Sequence, residues 1–259
     1  MLNQKVVLVT GAARGIGFEI GRRFAEGGAT VVLTDLDGTA AGHSAESLRQ
    51  SGLDAHGIKL DVTAPESEIA GTIQSIESTW GSVDILINNA GMQYVSPVEH
   101  FPTETFERML RIMLTAPFIL TKLVVPGMKR RQFGRIINIA SINGLVGFAG
   151  KTAYNSAKHG LIGLTKAVAL ETATDGITVN ALCPGYVDTV LVRNQLADVA
   201  ALHQLSREEA LEKVILPLVP QRRLIEMQEI AEYAVFLSGD HAKGITGQAI
   251  VIDGGYTAQ

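Results

Sequence analysis

The sequence predicts an α/β domain, and three observations carry that expectation. Short β-branched runs alternate with helical stretches along the chain. The first run, Lys5-Val-Val-Leu-Val-Thr10, leads through a glycine-rich turn into a helical pattern. The second, Thr30 to Thr34, ends on an acid, Asp35.

The opening turn holds Gly11, Gly15 and Gly17, with Arg14 and Ile16 between them. Strand, glycine turn and helix together make a phosphate site, because bare backbone can approach a pyrophosphate whose charge meets the helix N-terminus. The spacing is G-x-x-x-G-x-G, which differs from the general dinucleotide fingerprint. Asp35 lies eighteen residues beyond Gly17. A carboxylate there can accept both adenine-ribose hydroxyls and repels a 2′-phosphate, which favours NAD over NADP. Arg14 argues the other way, since a guanidinium pairs well with phosphate.

The alternation continues with a helix over 39–50 and a strand over 54–60 that ends at Asp61 and Val62. A helix over 65–79 follows, then the strand Val83 to Ile87, which runs into Asn88, Asn89, Ala90 and Gly91. Such a group suits a tight turn beside a ligand. Residues 101–132 read as helical, with Pro117 and Pro126 marking kinks or breaks. The apolar run Arg135 to Ala140 reads as a buried strand that delivers Ser141 at its carboxyl end. A helix is expected over 152–174, a strand over 177–182, and a turn at Pro184 and Gly185. Residues 188–223 break the rhythm without a strand signal and are expected to form a helical lid. A helix over 227–238 and a strand over 249–253 complete one domain, 1–259.

Composition narrows the function classes. Hydrophobic residues make up 46% and charged residues 19%, an ordinary globular balance. A formal charge of -4 with scattered basic residues gives no reason to expect nucleic acid. The densest basic run, Lys129-Arg130-Arg131, suits a solvated helix end. The single cysteine, Cys183, excludes an internal disulfide and a thiolate metal site, and its apolar surroundings predict an inert buried thiol. None of the six histidines shows ligand spacing, so no metal is expected. No signal peptide or membrane span is read, and a cytoplasmic protein without a membrane partner is the expectation.

Chemistry is concentrated in Tyr154-Asn155-Ser156-Ala157-Lys158. Residues four apart share a helix face. Tyrosine ionises near pH 10 by itself, and a lysine cation within reach favours the phenolate. The pair could take a proton from an alcohol or return one to a carbonyl oxygen. The Ser141 hydroxyl could hold the same oxygen. Alone, a tyrosine and a lysine at this spacing are more often core edge and solvent.

Taken together, Thr10-Gly11-x-x-x-Gly15-x-Gly17, Asn88 to Gly91, Ser141, Tyr154-x-x-x-Lys158 and Pro184-Gly185 resemble the short-chain dehydrogenase/reductase family over essentially the whole chain. The resemblance implies a doubly wound, Rossmann-type parallel sheet of about seven strands, usually in homotetramers. It implies Tyr154 as acid/base, Ser141 holding the substrate oxygen, and Lys158 lowering the tyrosine pKa while binding the nicotinamide ribose. Asp61 and Val62 would flank the adenine, and Val187 and Thr189 would meet the carboxamide and phosphate. Where the family usually has an asparagine in the helix before the Ser141 strand, this chain has Met113, a weak acceptor at best. Either another group or water completes the proton wire there, or the relay is slower, or the protein is a regulator that binds NAD(H) without turning it over.

A closer resemblance, to D-3-hydroxybutyrate dehydrogenases, rests on Asn89 to Gln93, Ser141 to Gly147, Gly150 to Tyr154 and Asp253 to Gln259. It implies a small hydroxy or keto acid as substrate. A buried carboxylate needs a cation and amide donors, and Lys151, Gln93 and Gln195 could converge on it. Asn143 stands where such relatives often carry histidine, and Tyr186 and Tyr256 where they carry tryptophan. Those changes alter the volume of the pocket wall more than its chemistry. A 3-oxoacyl thioester reductase or a polyol dehydrogenase on the same scaffold is the alternative enzyme. The first would prefer NADPH and an open groove, which Asp35 and Lys151 count against.

Overall fold

The computed structural model describes residues 2–190, 192, 193, 196, 200 and 204–258. Its centre is a seven-stranded parallel sheet in the order β3-β2-β1-β4-β5-β6-β7. The strands are β1 (Val6–Thr10), β2 (Thr30–Asp35), β3 (Ala55–Lys59), β4 (Ile85–Asn88), β5 (Gly134–Ile139), β6 (Ile177–Pro184) and β7 (Ala249–Ile252). The order reverses between β1 and β4, so the helices that follow them lie on opposite faces and a crevice opens at the carboxyl ends.

Both faces of the sheet are buried, which is why the strands read as unbroken apolar runs. In β1, Val7 and Val9 point to one face, and Val6 and Leu8 to the other. The first face is covered by α1 (Gly15–Glu26), α2 (Gly38–Gln50) and α8 (Met227–Ser238), through Ile20, Phe24, Leu48 and Ile230. The second is covered by α3 (Glu66–Trp80), α5 (Ala116–Arg131) and α6 (Thr152–Glu171), through Ile69, Ile73, Leu120 and Ala169. Boundaries fall within a few residues of those read from the sequence.

The stretch 101–132 differs from expectation. It holds α4 (Thr103–Leu110), a wide turn Arg111–Thr115, and then α5. In the wide turn the Ala116 N–H reaches back five residues to the Arg111 carbonyl. Pro117 has no N–H to offer the Met113 carbonyl, and the loosened ladder accommodates that loss. Pro126 breaks nothing: it sits on the solvent side of α5, where a carbonyl without an intrahelical donor can meet water. The reading that no span could cross a membrane is also corrected. Thr103–Arg131 is long and apolar enough by length and composition alone. Ile119, Leu120, Val124 and Met128 nonetheless pack it into the core.

Among the described residues of 188–223, a short helix α7 (Arg207–Ala210) is closed by a reciprocal cap between Ser206 and Glu209. A wide turn (Leu211–Ile215) and a tight one (Leu216–Leu218) follow, with no strand. The segment is moored to the carboxyl-terminal tail by the Gln221 N–H, which donates to the Gly254 carbonyl at 3.1 Å.

Candidate active site

One cleft of about 750 Å³ runs along the carboxyl ends of the strands, from Asp35 past β1 and β4 to Lys151. Its floor is the glycine turn. Gly11 has φ +61°, and a Cβ there would lie 2.8 Å from the Ala90 Cα. Gly15 has φ +66° and open space around it, leaving its backbone bare to a ligand. Arg14 and Ile16 line the same wall. Gly17 does not, contrary to expectation. It is buried, and a Cβ would strike the Asn89 side chain at 2.4 Å and the Gly11 carbonyl at 2.7 Å. It is a glycine because α1 starts so close to β4.

Asn88 is a second correction. Its side chain turns into the sheet, donating to Asn138 Oδ1 at 2.8 Å, and Asn138 donates on to Thr165 Oγ1 at 2.8 Å. Asn89 is the neighbour that faces the cleft. It ties the glycine turn down by donating to the Thr10 and Gly11 carbonyls, both at 2.9 Å. The Asn-Asn pair marked this turn in the sequence, but only strand parity decides which asparagine points inward.

At the adenine end, the Asp35 carboxylate is fixed by the Ala13 N–H (3.1 Å) and the Asp37 N–H (3.2 Å). Asp61 accepts from Thr63 N–H and Oγ1–H at 2.8 and 2.6 Å, which holds its carboxyl below the usual range. Val62, Ala90 and Gly91 line the wall between them. Pro184, Val187 and Thr189 line the opposite rim, with Val187 anchored beside Ile225. A bare glycine cradle at a helix start, a backbone-fixed acid one strand away and an apolar slot between them fit a dinucleotide.

At the other end Ser141, Tyr154 and Lys158 meet. Tyr154 and Lys158 are one turn apart on α6, whose Ala153, Ala157 and Leu161 are buried. The Lys158 ammonium donates to the Ile139 carbonyl at 2.6 Å and lies 5.4 Å from the Tyr154 ring centre. Burial pushes Lys158 down to about 8, opposed by the Cys183 thiol nearby. Burial also pushes Tyr154 up to about 12, and a hydrogen bond with Ser141 only partly offsets this. The expected lowering of the tyrosine by its lysine is therefore not met by the protein's own groups. Desolvation dominates. Cys183 is buried, as expected, and desolvation pushes its thiol up to about 11.

Gln93, Asn143, Lys151 and Tyr186 line this end as well. Lys151 has no acidic partner among the described residues, and burial lowers its pKa. Its nearest ring is Phe148, 5.5 Å away. The amide oxygen of Gln93 is buried without a partner. Tyr256 packs behind the wall, 6.0 Å from Tyr186 and 5.6 Å from Phe148. Gln195 lies outside the described residues. No metal-holding cluster occurs among the described residues.

Several lining residues were missed by sequence reading, among them Leu36, Met92, Arg108 and Ile112. Leu36 directly follows Asp35, so position could have signalled it. Arg108, on α4, and Ile112, in the wide turn after it, arrive only because that stretch folds against the cleft.

Residues 5–200 match the family described as short chain dehydrogenase. The chain belongs to the short-chain dehydrogenase family. It is 60% identical, over the full length of both chains, to an uncharacterized oxidoreductase of Bacillus subtilis. It is 41% identical to a D-beta-hydroxybutyrate dehydrogenase of Rhizobium meliloti, covering 98% of this chain and 99% of that one. Its fold superposes with a TM-score of 0.95 on a crystal structure of an actinorhodin polyketide ketoreductase variant with NADPH, at 36% identity and complete coverage of both chains. This short-chain dehydrogenase differs from the family's usual pattern at Met113, which is 1% exposed. Met113 packs with Met109, Ala153 and Ala157, its sulfur turned toward Gly91. Met113→Asn is expected to destabilise the fold by about 1–3 kcal/mol, since this apolar cluster offers no ready partner for a second polar group. Denaturant unfolding of the two proteins measures it, and equal midpoints would show that a partner is at hand.

Proposed function

We propose that this oxidoreductase interconverts D-3-hydroxybutyrate and acetoacetate with NAD. The observation that carries the reading is Lys151: a desolvated cation without an acidic partner among the described residues, in the cleft beside Tyr154. A small acid supplies the missing charge. Turning over the Gln93 amide would aim its NH₂ at the same carboxylate, and Asn143 and Tyr186 complete the wall. When bound, the dinucleotide supplies the hydride acceptor or donor. Tyr154 moves the hydroxyl proton, Ser141 holds the reacting oxygen, and Lys158 binds the ribose and keeps positive charge beside the phenol. Residues 188–223 exclude water as a lid.

Lys151→Ala tests the reading. KM for D-3-hydroxybutyrate is expected to rise about 10- to 150-fold, the worth of one charge-assisted hydrogen bond. Cofactor affinity should be unchanged. Equal KM in both proteins would remove the acid from the proposal. The ketoreductase likeness favours one second reading, reduction of a 3-oxoacyl thioester with NADPH, for which Arg14 could meet the 2′-phosphate. Activity on an acetoacetyl thioester above that on the free acid would select it.

The charge state sets a direction. With Tyr154 pushed up to about 12, the phenol is a proton donor at neutral pH and serves reduction directly. Oxidation needs the phenolate, whose population grows tenfold per pH unit below its pKa. Oxidative kcat/KM should therefore climb with pH up to about 8 and level off beyond it, where Lys158 loses the charge that favours the phenolate. Reductive kcat/KM should fall once pH passes about 8, where Lys158 loses its proton. NADH absorbance in both directions gives the two profiles, and a flat oxidative profile would count against Tyr154 as base.

A further inference from the structure

Beside the catalytic groups runs a chain of amides whose direction is fixed by a backbone carbonyl. The Phe148 carbonyl can only accept, and it receives Asn155 Nδ2 at 2.8 Å. The amide oxygen of Asn155 must then face the other way, where it accepts from Asn143 Nδ2 at 3.2 Å. That orients Asn143 in turn, so its Oδ1 faces the Ser141 hydroxyl at 3.4 Å. Meanwhile the Asn143 N–H donates to Ser141 Oγ at 3.1 Å. Asn143 is 5% exposed and Ser141 8%, so water does not readily replace these partners.

We propose that Asn155 is a positioning residue that sets the direction of the Ser141 hydroxyl through Asn143. The inference rests on the reading that Ser141 holds the substrate oxygen. In the resting arrangement the Ser141 proton points to Asn143 Oδ1, and its oxygen already accepts from the Asn143 N–H. The 3.4 Å bond is long and weak, so a substrate oxygen arriving beside Tyr154 takes that proton over. The same chain fastens the 142–151 loop to α6 through the Asn155 amide on the Phe148 carbonyl, which also receives the Lys151 N–H of the loop at 3.4 Å. Three consecutive segments thus hold one hydroxyl: the end of β5, the loop, and the first turn of α6.

The test is a double-mutant cycle on Asn155→Leu and Ser141→Ala, with kcat, KM and NADH affinity measured for all four proteins. The assay uses D-3-hydroxybutyrate with NAD, or the N-acetylcysteamine thioester of acetoacetate with NADPH, whichever the parent turns over. A wrong substrate assignment then changes the assay and leaves the comparison intact. Asn155→Leu is expected to lower kcat about tenfold, the worth of a well-placed donor, with NADH affinity unchanged. In the Ser141→Ala background it is expected to lower kcat no further. An equal fall in both backgrounds, or none in the parent, overturns the proposal. Ser141→Ala with unchanged kcat would instead defeat the role of Ser141 itself. Should Asn155→Leu fail to fold, as thermal unfolding reports, the smaller change Asn155→Ala removes both amide contacts in the same cycle, with the same outcomes.

Discussion

Replacing Tyr154 by phenylalanine is expected to lower kcat by about 10²–10⁴-fold while NADH binding stays intact. The reasoning is local. The ring remains, so its packing beside Met109, Met113 and Ala157 is preserved, and only the proton carrier is lost. Because the phenol is pushed up by burial, its removal relieves a desolvated polar group, and the variant should unfold no more easily than the parent. Stopped-flow turnover together with NADH fluorescence titration separates the two effects. Turnover retained within tenfold would mean that another group moves the proton. Loss of NADH binding would mean that the substitution disturbed the cleft and not the chemistry.

On the proposed NAD preference, Asp35→Ser is expected to reverse cofactor choice, changing the ratio of kcat/KM for NAD over NADP by about 10²–10⁴-fold. Two charge-assisted hydrogen bonds to a ribose diol, each worth about 1.5–3 kcal/mol, are lost for NAD. Repulsion of a 2′-phosphate is lost for NADP, and Arg14 on the same wall can then pair with it. Initial rates with both cofactors measure the ratio. A preference unchanged by the substitution would assign discrimination to Arg14 or to Leu36 and Asp37, which line the same end. Asp35 is held by two backbone N–H groups, so its carboxylate enters the comparison already oriented.

The sequence was most legible where function needs a fixed local pattern. The glycine turn, Asp35 at the end of β2, Ser141 after β5 and the Tyr154–Lys158 spacing are each set by neighbours within a few residues. All of them line the cleft except Gly17. Asn88 was misassigned because two adjacent asparagines look alike in sequence and differ only in which side of the strand they leave. The proline breaks were misplaced because a proline disturbs the carbonyl four residues earlier, and only burial decides whether water can make good the loss. Residues on α4, such as Arg108, were not legible at all, since nothing near them in sequence reports what they fold against.

The sequence by itself determined the alternation of strands and helices, the glycine turn after β1, the acid at the end of β2 and the one-turn spacing of Tyr154 and Lys158. These are short-range consequences of period, backbone freedom and charge. Tertiary structure decided the ionisation of those groups and the orientation of the hydroxyls. Burial raises Tyr154 and lowers Lys158 where spacing alone predicted a lowered tyrosine. The direction of the Ser141 hydroxyl traces to a carbonyl at Phe148 through two amides. Desolvation depends on atoms brought together across the chain, and the polarity of the relay, though confined to residues 141–155, depends on how the loop folds back onto α6, so residue spacing alone contains neither.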